Sequence, residues 1–434
     1  MASTYLTRTF QSGGNRKKWT MSMWVKRSGL GATNILFQTY VSTYTFCPFD
    51  SSDRLQFQDG NGGNKVTSMK FRDTNAWYHI VVAIDTDNST ADDRYKIYVN
   101  GERITAFDTS SNPSSGYEGE WNKAQLMNIG RHHSSGNYHD GYMSHIHFCD
   151  GYQYQASDFG ETDATTGEWK IKTSPSVSYG TTGFFILKDG NTVTDSSSNS
   201  NTWTANGTLT KTEDCPSNVF ATINPLDYSP NPATLQNGNT TYNKSSTGDT
   251  HNASMTGTLG AMTGKWYFEF KPTNTTNFVL GMVRTNHGLP NSEGYYANDA
   301  GCYGISNGGK TVGGSGTSIS YSYSANDILG MAFDLDNGKF YAHVNGTYIT
   351  SGDPTSGSTG TGSLGDISLG SNIYVPFVTN ANYNATNLIY FNFGNGYFGT
   401  TAVSSAGTNA SGNGIFEYDV PTGYTALSTK GLNL

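Results

Sequence analysis

The sequence predicts an all-β protein made of two tandem antiparallel β-sandwiches joined by an extended linker. Three observations carry that expectation. The chain has 434 residues, about twice the usual size of one sandwich. Only 14% of residues are charged, glycine numbers 52, and serine, threonine and asparagine crowd every segment. That balance suits many short strands joined by tight turns, whereas long helices need more Ala, Leu, Glu and Lys. Finally, apolar residues recur at period two in block after block, which is how a strand buries one face.

The first sandwich is expected over residues 1–191. In Trp19-Thr-Met-Ser-Met-Trp-Val-Lys-Arg27, Trp19, Met21, Met23 and Val25 fall on one face. Trp24 lies among polar residues on the other, so both sides of this strand should be partly covered. Ile35-Leu-Phe37 and Arg54-Leu-Gln-Phe-Gln58 follow, and then Trp77-Tyr-His-Ile-Val-Val-Ala-Ile84, an apolar run expected of a central strand. Tyr95-Lys-Ile-Tyr-Val-Asn-Gly101 reads as a strand entering a Gly turn, and Met127-Asn-Ile-Gly130 and Gly141-Tyr-Met-Ser-His-Ile-His-Phe148 complete the set. From 192 to 246 the periodicity fades and Ser, Asn, Thr and Pro take over, which predicts a linker running over the surface. Phe220, Ile223 and Leu226 are its expected anchors. The second sandwich should occupy 247–434. Its clearest strands are Trp266 to Phe270, with Trp266, Phe268 and Phe270 on one face, and Leu329 to Phe333, with Leu329, Met331 and Phe333 on one face. Asp336-Asn337-Gly338 reads as the hairpin turn after the latter. Tyr374 to Val378 and Leu388 to Phe393 are late strands, and Ser351 to Gly365 reads as a long mobile loop.

These blocks resemble known families. Trp266 to Phe270 together with Asp327 to Asp336 and Gly338 to Gly346 resembles the SPRY fold, a concanavalin-like, jelly-roll-type sandwich used for binding. In the first half, Trp77 with His79, Tyr98 to Gly101, Ile129-Gly130 and Asp140 to Met143 resemble the laminin-G-like or concanavalin A-like lectin superfamily. Tyr5-Leu-Thr-Arg-Thr9, Asn15 to Thr20, Ser157 to Glu161, Tyr179 to Phe184 and Asp195 to Trp203 look like the versions of that domain in virion proteins of tailed bacteriophages, marine ones above all. Asp214 to Asp227 resembles a segment that recurs between the two modules in phage proteins.

Composition excludes several classes. The formal net charge is −8, and no basic run exceeds Arg16-Lys17-Lys18, so nucleic acid is not an expected partner. No segment approaches the roughly 18 apolar residues of a membrane span, and the first ten residues lack a basic start followed by an apolar core, so neither membrane insertion nor signal-directed export is expected. Cys47, Cys149, Cys215 and Cys302 are scattered, which fits free thiols better than a disulfide framework or a zinc site.

A glycanase on such a sandwich presents two acids roughly 5 to 9.5 Å apart. The nearest candidates, Glu269 and the pair Asp334 and Asp336, read as a structural acid on a polar strand face and as turn-forming residues. No catalytic residue is assigned, and no cofactor is implied. His132, His133, His139, His145 and His147 cluster within one stretch, and His145 and His147, two apart on a strand, share a face with Asp140 nearby. These three are the weak metal-ligand candidates; a solvent-facing or interface role is preferred for the histidines. The best ligand-binding loop is Asn286 to Asp299, where His287, Asn291, Glu293, Tyr295, Tyr296 and Asp299 mix aromatic faces with polar groups, as sugar recognition requires.

The expectation is therefore a non-enzymatic phage virion protein, a fibre, spike or knob-like appendage that contacts host-surface glycan or receptor. Two alternatives stand: a purely structural capsid decoration or tail adaptor touching other virion proteins, and a glycan depolymerase. Its expected location is the virion, assembled in the host cytoplasm. A homo-oligomer fits an appendage, with a trimer among the options, although neither a heptad nor a β-helix repeat imposes threefold symmetry.

Overall fold

The computed structural model describes residues 4–433 except 41–42, 135, 189, 191, 230, 246–251, 287–295, 381 and 383–384. The chain divides into two compact units, Met1–Lys211 with Cys215–Ser217, and Thr212–Asp214 with Asn218–Leu434. Both are sandwiches of mainly antiparallel sheets, and the helices among the described residues are short 3-10 segments. No helix among the described residues is long and apolar enough to cross a membrane.

In the first unit an eight-stranded sheet runs in the order Phe107–Ser111, Gly63–Lys70, Arg54–Asp59, Tyr44–Phe49, Asn34–Tyr40, Leu126–Ile129, Tyr5–Thr9 and Thr204–Asn206. A six-stranded sheet runs Phe184–Ile186, Gly141–Asp150, Lys18–Arg27, Trp77–Asp85, Tyr95–Val99 and Glu102–Arg103. Trp19, Met21, Met23 and Val25 meet Phe37, Phe57 and Met127 in one core between the sheets, as alternation requires. The opposite face of the six-stranded sheet is covered too: Val81, Ala83 and Cys149 pack under Phe159, Tyr154, Trp169 and Tyr179 from the segment that follows the sheet. A strand buried on both faces has no need to alternate, which explains the apolar run at Trp77 to Ile84.

The second unit repeats the plan. A seven-stranded sheet runs Ile223–Tyr228, Ser254–Gly257, Tyr374–Asn380, Phe278–Arg284, Cys302–Ser306, Gly309–Val312 and Ser315–Ser318. Facing it, the path Thr234–Gln236, Thr241–Lys244, Asn387–Asn392, Lys265–Pro272, Leu329–Asp334, Lys339–Val344 and Thr347–Tyr348 is joined by Gly365–Asp366 and, in parallel, by Thr425–Ala426. Trp266, Phe268, Phe270, Leu329, Met331 and Phe333 all point into the core with Leu280, Met282 and Val378. On the outer face Tyr267, Ala332 and Tyr341 lie under Phe416, Val420 and Tyr424.

Three expectations differ from the structure. Residues 192–246 are not a linker. Trp203 is 2% exposed and Thr204–Asn206 pairs with Tyr5–Thr9, while Ile223–Tyr228 and Thr241–Lys244 belong to sheets of the second unit. Thr204–Asn206 and Thr241–Lys244 are too short for hydrophobic periodicity to register, and in Ile223–Tyr228 only Ile223 is buried. Of the three expected anchors, Phe220 and Ile223 are buried but Leu226 is 58% exposed. Ser351 to Gly365 is not one open loop either, because Pro354–Thr359 forms a 3-10 helix with Pro354 buried. The Pro354 carbonyl accepts from Tyr424 Oη at 3.0 Å. All four cysteines are unpaired, and Cys47, Cys149 and Cys302 are buried.

Candidate functional site

The first unit opens at one flank. The hairpin Arg54–Asp59 to Gly63–Lys70 pairs Phe57 with Lys65, and cross-strand partners share a face, so Lys65 follows Phe57 into the space between the sheets. On its other side Lys65 pairs with Ser110 of the edge strand, whose register slips between Phe107 and Thr109. From the facing sheet, Tyr95 points inward from the last full strand, and the Asn100-Gly101 turn carries the chain to Arg103. A cavity of about 500 Å³ lies between the two edges, within the range of small-ligand sites. Lys65 and Tyr95, each 2% exposed, form its floor. The exposed Asp92, Arg103 and Ser110 and the half-buried Asp93 and Phe107 form its rim.

The floor is held from beneath. Tyr95 Oη donates to Asp59 Oδ2 at 3.3 Å. Asp59 also accepts from Thr45 Oγ1 and from the Glu120 amide at 3.0 Å. Lys65 Nζ donates to Ser110 Oγ at 2.7 Å and sits 5.2 Å from the centre of the Phe107 ring. Burial pushes its pKa below the ordinary lysine value. At the rim, Asp93 Oδ1 meets Arg103 Nη1 at 2.7 Å and Lys96 Nζ at 3.6 Å. The hydrogen bond from Arg103 holds the Asp93 carboxyl below the usual carboxylate range, so it stays ionised and is unsuited to donate a proton. Asp92 Oδ1 accepts from Asn112 Nδ2 at 2.6 Å. The cavity thus combines an aromatic wall with fixed charged and hydroxyl groups, a set that can hold a hydroxylated ligand.

Sequence reasoning missed this site. Alternation marks Arg54 to Gln58 but not Gly63–Lys70, although carried through the turn it places a lysine at an inward position. Of the loop residues singled out instead, His287, Asn291, Glu293 and Tyr295 lie outside the described residues, as does the side chain of Tyr296. Asp299 is described, and it is occupied internally: Arg284 Nε lies at 2.9 Å and the Gly301 amide donates at 2.6 Å.

His145 and His147 both pack on Phe185, but with Asp140 they do not make a three-ligand group. His145 has φ +46°, inside a slip of register between Ser144 and His147 that interrupts the strand's alternation. His147 is 2% exposed, stacks on Phe185 at 3.8 Å and shares a hydrogen bond through Nδ1 with Tyr179 Oη at 2.9 Å. Asp140 packs against Gly29, and its backbone amide donates to Asn34 Oδ1 at 2.8 Å. Among the described residues no group of three or more His, Cys, Asp or Glu side chains is placed to hold a metal ion. His79 of the Trp-x-His motif lies between Trp24 and Trp169, with Ser22 Oγ on Nε2 at 2.8 Å and Trp169 Nε1 donating to Nδ1 at 3.0 Å.

Nor is Glu269 available for chemistry. It is 0% exposed and accepts from the amides of Glu417 and Tyr418 at 2.9 and 2.8 Å, from Tyr267 Oη at 3.0 Å and from Asn392 Nδ2 at 3.3 Å. Asp334 serves its turn, accepting from the amides of Asp336 and Asn337, and pairs with Lys265 at 2.9 Å.

Comparison with known proteins bears on the first unit. Residues 2–152 match a laminin G-type family model described as the concanavalin A-like lectin/glucanases superfamily. The cavity residues fall inside the matched stretch. No curated protein matches the chain. Solved structures that match part of the chain include the SPRY domain of human HERC1, at 12% identity and TM-score 0.30 over 39% of this chain and 96% of that one. The TRIM65 PSpry domain is 13% identical, at TM-score 0.29 over 40% of this chain and 91% of that one. A putative carbohydrate binding protein from Bacteroides ovatus is 16% identical, at TM-score 0.34 over 48% of this chain and 56% of that one. At such identities and TM-scores none of the three transfers a property to this chain.

Proposed function

We propose that this protein is a non-enzymatic saccharide-binding protein, and that the flank cavity of its lectin-like unit is the binding site. One observation supports the reading: within the stretch that matches a lectin/glucanases superfamily model, the two sheet edges part around a cavity whose floor and rim offer an aromatic wall, a buried ammonium, hydroxyls and carboxylates. Saccharides are recognised by that mixture, with apolar ring faces on aromatic side chains and hydroxyls on fixed polar groups. Against a depolymerase, Asp93 is held ionised by Arg103, and Glu269 is sealed beneath the chain at Glu417 and Tyr418.

The resemblance of Tyr5 to Thr9, Ser157 to Glu161 and Asp195 to Trp203 to modules of tailed-bacteriophage virion proteins supports a place on a phage particle, where the ligand is host-surface glycan and the neighbours are other virion proteins. A purely structural role would leave the cavity empty. A glycan array probed with the purified protein separates these readings. Selective retention on a class of glycans is expected, and no retention on glycans of any susceptible host would overturn the reading. Release of reducing sugar from a bound glycan would turn it toward depolymerase activity.

A further inference from the structure

The cavity is lined by two cations, Lys65 and Arg103, and two anions, Asp92 and Asp93, but they are not paired one to one. Asp93 is met by two cations, Arg103 and Lys96, and Arg103 also donates through Nη2 to the Asp92 carbonyl at 2.8 Å. Lys65 is different. It has no ion-pair partner among the described residues, and only one of the three protons of its ammonium is engaged, by Ser110 Oγ. Asp92 attracts it from beyond contact distance. An ammonium taken out of water at 2% exposure with one neutral hydroxyl as partner is costly, and an anion brought to it would recover much of that cost.

The cavity supplies the room for that anion. Lys65 forms its floor, while Phe107 beside the ammonium offers a ring face for an apolar sugar surface. We propose that the saccharide bound here carries an acidic group, a carboxylate or a sulfate ester, seated on the Lys65 ammonium. This rests on the saccharide-binding reading of the same cavity. An inward-pointing lysine next to a sheet edge also discourages edge-to-edge association, but that role is met with the cavity empty and predicts no preference among ligands.

The test is calorimetric titration of the full chain with two matched ligand pairs: oligogalacturonate against its carboxyl-reduced counterpart, and sulfated against desulfated galactan oligosaccharides. In at least one pair the acidic member should bind about ten-fold tighter or more. Lys65→Met should remove that preference by weakening the acidic member about ten-fold, with the melting temperature little changed. A response confined to the carboxylate pair assigns a uronic acid, and one confined to the sulfate pair assigns a sulfated sugar. Equal binding within both pairs, or a preference that survives Lys65→Met, would overturn the proposal while leaving saccharide binding intact. Binding of none of the four would overturn the acidic-ligand proposal, while the glycan array decides saccharide binding separately. If Lys65→Met does not fold, Lys65→Gln takes its place with the same expected loss of preference, and equal wild-type binding within both pairs overturns the proposal by itself.

Discussion

Glu269 and His343 share one buried network and respond to pH in opposite directions. Gly346 N donates to His343 Nδ1 at 3.1 Å, so the neutral ring carries its proton on Nε2, toward Tyr267 Oη at 2.7 Å, and Tyr267 in turn donates to Glu269. Burial lowers the His343 pKa to about 4. Protonating Nδ1 would in addition break the Gly346 bond. Its contribution to stability is therefore present above about pH 6.5 and lost as pH falls toward 4. Burial outweighs the four donors at Glu269 and raises its pKa to about 7, so its contribution is full below about pH 4.5 and is lost as pH rises through 7. Glu269→Gln, whose amide nitrogen must face at least one donor, should cost about 2–4 kcal/mol in denaturant unfolding. The gap between wild type and this variant should narrow by up to about 3 kcal/mol between pH 4.5 and 7; a constant gap would show that the carboxyl stays ionised throughout. Asp195 makes a second prediction. It accepts from the amides of Phe185, Ser197 and Asn201 at 2.8, 2.8 and 2.6 Å, so Asp195→Ala should destabilise the first unit by about 2–4 kcal/mol. The motif Asp195 to Trp203 is a folding device, and its residues were legible as a motif, but their backbone partners ten residues upstream were not.

At the scale of elements, the legible parts were those where local rules decide. Asn100-Gly101 and Asn345-Gly346 are hairpin turns with φ of +47°, +88°, +48° and +83°, the conformation that Asn-Gly favours. In each unit the Asn side chain also accepts a neighbouring backbone amide, that of His79 at 2.8 Å and that of Ile328 at 2.9 Å. Gly101 has a further constraint, because a Cβ there would lie 2.6 Å from the Trp169 ring. Gly101→Ala should therefore cost about 2–3 kcal/mol, more than positive φ alone, and a melting temperature unchanged from wild type would contradict the packing described. The long strands Trp19 to Val25 and Leu329 to Phe333 were likewise readable from alternation. The edge strands Glu102–Arg103 and Phe107–Ser111 were not, since most of their residues are exposed and no alternation marks them. The cavity lies between those edges, which is why the site escaped sequence reasoning while the core did not. The slip at His145 was equally hidden: the sequence alternates smoothly where the backbone does not.

For the whole molecule, two sandwiches were expected and two are present, yet each uses more chain than periodicity indicated. Residues 1–191 lack Trp203, whose ring lies 5.0 Å from Phe184, and the strand Thr204–Asn206. Residues 247–434 lack Tyr242 and the strand Thr241–Lys244, leaving Asn387–Asn392 unpaired on one side. The fragments 1–191 and 247–434 should thus be molten or insoluble, whereas 1–217 and 218–434 should show cooperative thermal unfolding by circular dichroism. Cooperative unfolding of the shorter pair would mean that 192–246 is dispensable after all. The central claim is that the first unit binds saccharide at its open flank, and amide hydrogen exchange with and without an array-selected glycan tests it most directly. Protection concentrated in residues 63–70 and 92–111 is the predicted result; protection confined to 286–299 or to the second unit would contradict it.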